Sequence, residues 1–254
     1  MEGEGGIADP HIEDIAGIGL LAGDLALSGF EDDLSQQWPL CLDAKARAFR
    51  VIGAFHQILS RAAQMRRADI VLVDVGPNLG VINRAALIAA DYVAIPLAPD
   101  LFSLKGLQNL GPRLREWRTG WTERLKKRPP NLDLPDGLMA PLGYVVLQHA
   151  ARLDRPVKAY AKWMARIPAI YREAVLGDPV SQPAVTIAGD PECLSTLKHY
   201  RSLMPLAQEA RKPMFFLKPA DGAIGGHAQA VQDCYQDFLT LAREVAKRAK
   251  VALP

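Results

Sequence analysis

The chain has 254 residues, a formal net charge of +2, 49% apolar residues and 23% charged residues. This composition is typical of a globular protein with a sizeable core, and so small a net charge does not indicate a nucleic-acid-binding protein. The three cysteines form no CxxC pair, which argues against a zinc ribbon or a redox motif. No apolar run reaches the ~18 residues of a membrane span, and the acidic N-terminus lacks a signal-peptide core. We therefore expect a cytoplasmic protein without membrane contact.

Short apolar runs alternate with longer segments of helical periodicity along the chain. We expect residues 1–17 to be disordered or irregular and residues 18–254 to form a single α/β domain. Strands are predicted at 18–23, 69–74, 92–98, 142–148 and 213–217. Helices are predicted at 43–66, 78–90, 103–121, from after 148 to about 175, and at 227–248. This alternation predicts an open, mostly parallel sheet flanked by helices. Two of the strands, 69–74 and 92–98, are apolar on both sides, so we expect them to be central and covered on both faces.

The most informative stretch is "ADIVLVDVGPNLG", in which an apolar run ends at Asp74 and is followed by Gly76-Pro77. Ligands bind at the carboxyl ends of the strands in open α/β sheets, so Asp74 is a candidate ligand-binding residue. The alternative is that Asp74 only caps the next turn. The strand pattern alone leaves both interpretations open.

Three short motifs carry a family resemblance: Asp74-Val75-Gly76-Pro77, Ala89-Ala90-Asp91 and Leu104-Lys105-Gly106-Leu107. They resemble the central segment of ParA/MinD-type deviant-Walker P-loop ATPases, the family of chromosome and plasmid partitioning proteins. Residues 212–231 are similar to the C-terminal loop and helix of ParA proteins. The resemblance runs through most of residues 18–248 and implies a P-loop NTPase-like fold.

The resemblance also implies site residues and the cofactors ATP and Mg²⁺. Asp74 would help to hold Mg²⁺, and Gly76 and Pro77 would form the loop that senses the γ-phosphate. The residues Lys218, Pro219 and Asp221 would lie near the adenine. The other interpretation of this second loop is a glycine-rich approach to a helix, with Asp221 close to a capping position.

The chain departs from the family at its beginning. The family opens with a strand and a Lys-Gly-Gly-x-Gly-Lys-Thr loop, followed by a strand whose aspartate positions the attacking water. The present 254 residues contain no Gly-Lys pair. The sequence thus predicts a ParA-like domain without its N-terminal phosphate-binding unit, as a truncated product, a misplaced start or a specialised paralogue. We assign no catalytic residue and expect no ATP hydrolysis by this chain.

The family implies a ParB-like regulator and non-specific DNA as partners. Residues 113–128 carry seven Lys or Arg against two Glu and interleave them with Trp117 and Trp121. A basic face offers contacts to DNA phosphates, but a solvated helix face is the favoured interpretation. Three functions stay open: a partitioning ATPase represented incompletely, a non-enzymatic pseudo-ATPase that pairs with a full-length paralogue, and a fragment without function. Without the N-terminal unit, an unpaired strand edge beside residues 69–74 predicts self-association.

Overall fold

The computed structural model describes residues 7–15, 17–76, 78–148, 151–152, 155–156, 158–178 and 185–252. The chain divides into two compact units. The first unit consists of Met1–Val93 and Leu110–Ala140, and the second of Ala94–Asn109 and Pro141–Pro254.

The first unit is mainly helical. It contains a hairpin of β1 (Glu13–Ile15) and β2 (Ile18–Leu20), then α1 (Glu31–Leu40), α2 (Ala46–Ile52), α3 (Ala54–Arg66), α4 (Val81–Ile88) and the second half of α5 (Leu101–Leu125). The centre of its core is Trp121, which is fully buried, with its ring centroid 6.0 Å from Phe49 and 6.1 Å from Trp38. Aromatic pairs at such distances add to the stabilisation that burial provides.

The predicted helix 43–66 is interrupted at Gly53, where α2 ends and α3 begins. A Cβ atom at this position would lie 2.9 Å from Leu134 Cδ2 and 3.0 Å from the Phe49 carbonyl oxygen. The crowding by the Leu134 side chain and the Phe49 carbonyl oxygen favours a glycine at this break between the two helices.

The β1–β2 hairpin lies on α3 and is exposed along both strands. Arg61 binds the Asp9 carboxylate and donates to the Ile7 carbonyl oxygen at 2.9 Å, and Arg66 binds the Asp14 carboxylate. The prediction of a buried strand at 18–23 was wrong in this respect, because all three residues of β2 are exposed. The strand β1 lies within the segment expected to be irregular, and the expected single domain over 18–254 stays a prediction.

The second unit contains a three-stranded parallel sheet in the order β3 (Tyr92–Leu97), β4 (Ala140–Gln148) and β7 (Cys193–Lys198). A minor hairpin pairs β5 (Ala151–Arg152) with β6 (Arg155–Pro156). The remaining helices are α6 (Lys158–Met164), α7 (Ile167–Tyr171), α8 (Leu203–Ala210) and α9 (Gly226–Arg248), and α7 continues into a π-helical turn, Arg172–Leu176. The α/β fold class with a parallel sheet flanked by helices is thereby confirmed.

One face of this sheet is covered by α9. Leu142 and Val145 of β4 and Leu194 and Leu197 of β7 form a buried cluster. Phe238, Leu241 and Val245 of α9 pack against it. Arg248 closes the contact by donating to the Leu142 carbonyl oxygen at 3.0 Å. Burial of such an apolar face is the main stabilising contribution to a sheet–helix layer.

Two predicted strands are absent. Residues 70–76 have no assigned secondary structure and belong to no sheet, and Ile70, Val71, Leu72 and Val73 are all exposed. Residues 214–216 form a 3₁₀ turn instead of the strand predicted at 213–217.

The strand β3 is confirmed, but it is not central. It forms an edge of the described sheet, with Val93, Ile95 and Leu97 buried and Tyr92, Ala94 and Pro96 exposed. Proline lacks the N–H group that a central strand needs, so Pro96 was the signal in the sequence for an edge position. No described helix combines the length and the apolar character that crossing a membrane requires.

Candidate functional site

The segment that carries Asp74 follows α3 and runs without secondary structure to the start of α4. Its backbone makes no hydrogen bond between residues 69 and 75 to any residue that the structure describes. The Asp74 side chain is exposed and has no hydrogen-bond or ion-pair partner among those residues. Asp74 is therefore open to solvent, and it does not end a buried strand as predicted.

The loop that follows Asp74 is fixed by a residue that sequence reasoning missed. The side-chain amide of Asn83, in the first turn of α4, donates to the carbonyl oxygens of Gly76 at 2.6 Å and Asn78 at 2.8 Å. Asn78 in turn accepts from the Gly80 N–H at 3.0 Å, just before α4 begins. Asn83 is almost fully buried, so these bonds are shielded from water. The signal was an asparagine beside Arg84 in the mainly apolar run "VINRAALI". The predicted site residue Pro77 lies outside the described residues.

The second predicted loop is a 3₁₀ turn, Pro219–Asp221, ahead of α9. Asp221 does not face a free cleft with an unpaired carboxylate. The Lys212 ammonium group donates to both of its oxygens, at 2.8 and 2.9 Å, and the Lys218 N–H donates to one of them at 2.9 Å. These bonds, that from Lys212 first, hold the pKa of the Asp221 carboxyl below its usual value. Asp221 thus fixes the turn, as the capping interpretation expected, while Lys218 and Pro219 are exposed.

The two groups of predicted site residues belong to different compact units. Asp74 and Gly76 lie in the first, and Lys218, Pro219 and Asp221 lie in the second. The residues within each group lie close together because they are neighbours in the sequence.

The donor set around Asp74 does not fit a Mg²⁺–nucleotide site. Mg²⁺ is usually held by one or two carboxylates together with substrate phosphates. The described residues contain no group of three His, Cys, Asp or Glu side chains that could hold a metal ion. The sequence contains no glycine-rich loop with a lysine that would bind the phosphates. Asp74 alone supplies one ligand, and we derive no catalytic step through a metal or a nucleotide.

The basic run 113–128 is largely part of the core architecture. Trp117 and Trp121 are buried rather than displayed between the basic residues. Arg118 donates to the carbonyl oxygens of Leu138 and Met139, at 2.6 and 2.5 Å. Arg124 and Lys127 donate to the carbonyl oxygens of Trp38 and Leu42, both at 2.9 Å. These three cations hold the loops around α5, which leaves fewer charges for nucleic-acid phosphates.

A family model described as an AAA domain matches residues 7–127. The chromosome partitioning protein ParA of Caulobacter vibrioides is 29% identical over 127 residues, which are 50% of this chain and 43% of that protein. The chromosome-partitioning ATPase Soj of Thermus thermophilus is 30% identical over 82 residues, which are 30% of this chain and 33% of that protein. This chain is related to the ParA-type ATPases.

The solved structures agree at the level of the fold. The protein DIP2308 from Corynebacterium diphtheriae has a TM-score of 0.55 and 21% sequence identity, with 91% of this chain and 66% of that chain covered. The ParA-related chain therefore shares its fold with a protein of little sequence similarity. It spans less than half the length of each of the two curated relatives named above.

Proposed function

We propose that this ParA-related chain acts in partitioning or positioning through protein contacts, and that its own residues do not hydrolyse ATP. One observation carries the proposal. Asp74, to which the resemblance assigns Mg²⁺, is exposed on an unpaired segment, and the described residues provide no further metal ligands beside it. The names of the curated relatives refer to chromosome partitioning, and this supports the general role.

Hydrolysis of ATP would require this chain to compensate the negative charge of the triphosphate. The triphosphate of ATP carries several negative charges, which P-loop proteins compensate with backbone N–H groups and a lysine. Phosphoryl transfer depends almost entirely on positioning and on electrostatic stabilisation. The sequence holds no Lys-Gly-Gly-x-Gly-Lys-Thr loop, and Asp14, the aspartate on the described strands before Asp74, is bound by Arg66. In the second unit, Lys218 and Pro219 remain candidates for contact with a nucleotide base, but such contact would not place the γ-phosphate.

The contacts that we propose instead use the unpaired segment Ile70–Val73. Leu72 is 85% exposed, and its neighbours Ile70, Val71 and Val73 are exposed as well. An apolar segment whose backbone N–H and C=O groups have no described hydrogen-bond partner can accept a strand from another chain. The partner would be a second copy or a full-length paralogue. A ParB-like regulator, non-specific DNA and a cytoplasmic location are further proposals that come from the family resemblance.

ATP turnover by the purified chain tests the proposal. We expect the wild type, Asp74→Ala and Asp69→Ala to release phosphate at the same background rate, with and without DNA. Asp69 is the matched control because it is an exposed carboxylate at the other end of the same apolar segment. Turnover in the wild type and in Asp69→Ala that is lost in Asp74→Ala would overturn the proposal. That result would establish the alternative, a hydrolysing partition ATPase.

A further inference from the structure

Two arginines meet the same tryptophan in the first unit. The guanidinium carbon of Arg84, on α4, lies 4.1 Å from the centroid of the Trp38 ring. The guanidinium carbon of Arg124, on α5, lies 3.8 Å from it. Each contact is favourable because the face of an indole ring is negative. Together they bring two positive charges close to one ring. The repulsion between these charges costs free energy unless an anion compensates it.

Arg124 is bound but not neutralised. Its Nε donates to the Trp38 carbonyl oxygen at 2.9 Å, and its Nη1 donates to the Gly120 carbonyl oxygen at 2.8 Å. The residue is only 7% exposed. Both acceptors are uncharged, and the neighbouring Glu123 acts on Arg124 through its charge without a described hydrogen bond or ion pair to it.

Arg84 lacks even neutral acceptors. It is partly buried and makes no hydrogen bond and no ion pair with any described residue. Burial, and next the charge of Arg124, lower the pKa of Arg84 to about 10, so it remains protonated at neutral pH. The Glu116 carboxylate acts on Arg84 through its charge, but it is bound by Arg113 Nη1 at 2.6 Å. Arg84 therefore has guanidinium N–H groups that no described residue occupies, in a partly desolvated position that a ligand can still reach.

We propose that Arg84 anchors a binding site for a phosphoryl dianion and that the positive charge of nearby Arg124 adds to the attraction. Guanidinium groups bind phosphate oxygens through paired N–H donors. A phosphoryl group carries a charge of about −1.5 to −2 at neutral pH, which matches two arginines better than a single carboxylate does. The site goes beyond the proposed function, because it uses neither Asp74 nor the 218–221 loop. Its ligand is a small phosphorylated molecule, either inorganic phosphate or the phosphate of a nucleotide.

Isothermal titration calorimetry of the whole chain tests the site. Inorganic phosphate and magnesium-free ATP are titrated in separate arms, at an ionic strength held constant with chloride. We expect at least one arm to show saturable binding, with a dissociation constant on the order of 1 mM for two charge-assisted hydrogen bonds. Binding in the phosphate arm would show that inorganic phosphate alone can occupy the site. Binding in the ATP arm alone identifies a nucleotide as the source.

Three variants locate the binding. Arg84→Gln should weaken it by about tenfold or more, the loss of one charged hydrogen-bonding partner. Arg84→Lys, which keeps the charge without the planar fork, should weaken it less. Arg47→Gln removes an exposed arginine of the same unit, whose side chain is 75% accessible, and should leave binding unchanged. Near-UV circular dichroism checks that each variant keeps its tertiary structure.

Glu116→Gln provides a test that does not depend on the folding of the Arg84 variants. Removing the competing carboxylate near Arg84 should tighten phosphate binding. The proposal is overturned if the wild type binds neither ligand, if Arg47→Gln weakens binding as much as Arg84→Gln does, or if Glu116→Gln has no effect. None of these results bears on ATP turnover, so this site and the proposed function stand or fall separately.

Discussion

At the scale of single residues, Asp221 shows how a motif residue can have a structural role. The resemblance assigned it to the adenine, yet both carboxylate oxygens accept from Lys212 and one also accepts from the Lys218 N–H. Three of the roughly four acceptor positions of the carboxylate are thereby occupied within the turn. Side-chain pairing of this kind depends on the folded positions of residues 212 and 218, which the spacing in the sequence does not determine.

The pairing of Asp221 predicts a pH dependence. The pKa of Asp221 is lowered in the folded protein by Lys212 and then by Lys218. The stability that this contributes is present above the unfolded carboxyl pKa of about 4 and is lost as the pH falls through the folded value. Asp221→Asn should therefore lower the free energy of unfolding at neutral pH and flatten its fall in acid. Urea unfolding at a series of pH values measures both effects.

The matched control is Asp136→Asn, which changes an exposed aspartate without a described hydrogen-bond or ion-pair partner. This variant should keep the acid dependence of the wild type. An Asp221→Asn protein with an unchanged acid limb would contradict the assignment of the ion pair.

At the scale of elements, the sequence predicted those segments whose own apolar pattern is regular. The helices α4, α5 and α9 and the strands β3 and β4 lie where periodicity predicted them, within a few residues at their ends. The prediction of a strand at 69–74 was wrong because a β-branched apolar segment becomes a strand only when another strand pairs with it. That partner is a property of the rest of the fold. At the candidate site, the sequence predicted the loop after Asp74 and the loop at 218–221. It did not predict which residues form hydrogen bonds with the polar groups of these loops.

The strand β7 was missed for a specific reason. The pairing with β4 shifts by one residue, so that Tyr144 pairs with Cys193 and Val145 pairs with Ser195. The extra residue, Leu194, forms a bulge, and bulges disturb the alternation of the two faces. Leu194 and Leu197 consequently share one buried cluster although they are three residues apart. Their spacing mimics a helix, which concealed the strand.

Asn83 provides a prediction about the loop after Asp74. Asn83→Ala removes the donors to the carbonyl oxygens of Gly76 and Asn78 and leaves both without a described partner. We expect the free energy of unfolding to fall by about 1–3 kcal/mol, as for other buried polar groups that lose a partner. Amide hydrogen exchange in residues 76–80 should become faster. The control is Asn109→Ala, which changes an exposed asparagine on α5. It should change the free energy of unfolding by no more than about 0.5 kcal/mol and leave amide exchange in residues 76–80 unchanged. Equal effects of the two substitutions would show that Asn83 does not hold the loop.

At the scale of the whole molecule, the unpaired segment Ile70–Val73 predicts self-association. We expect the wild type to form dimers or larger species in light scattering at micromolar concentration, because free strand edges with apolar side chains recruit other chains. Leu72→Lys should shift the population towards the monomer, since a charged lysine disfavours pairing at an edge.

Leu25→Lys is the control for this prediction. Leu25 is 94% exposed, like Leu72, but it lies in a 3₁₀ turn outside the segment. It should leave the distribution of species unchanged. A monomeric wild type, or equal effects of the two lysines, would exclude Ile70–Val73 as the contact.

The position of α9 along the chain has a consequence for biosynthesis. The buried face of β4 and β7 is covered by Phe238, Leu241 and Val245, which are translated well after Lys198. At about 5–20 residues per second, the ribosome leaves this apolar face uncovered for a time on the order of seconds. During that interval the nascent chain displays Leu142, Val145, Leu194 and Leu197 to whatever binds exposed hydrophobic segments. We therefore expect the emerging polypeptide to expose a chaperone-binding surface until α9 is made and Arg248 can reach the Leu142 carbonyl oxygen.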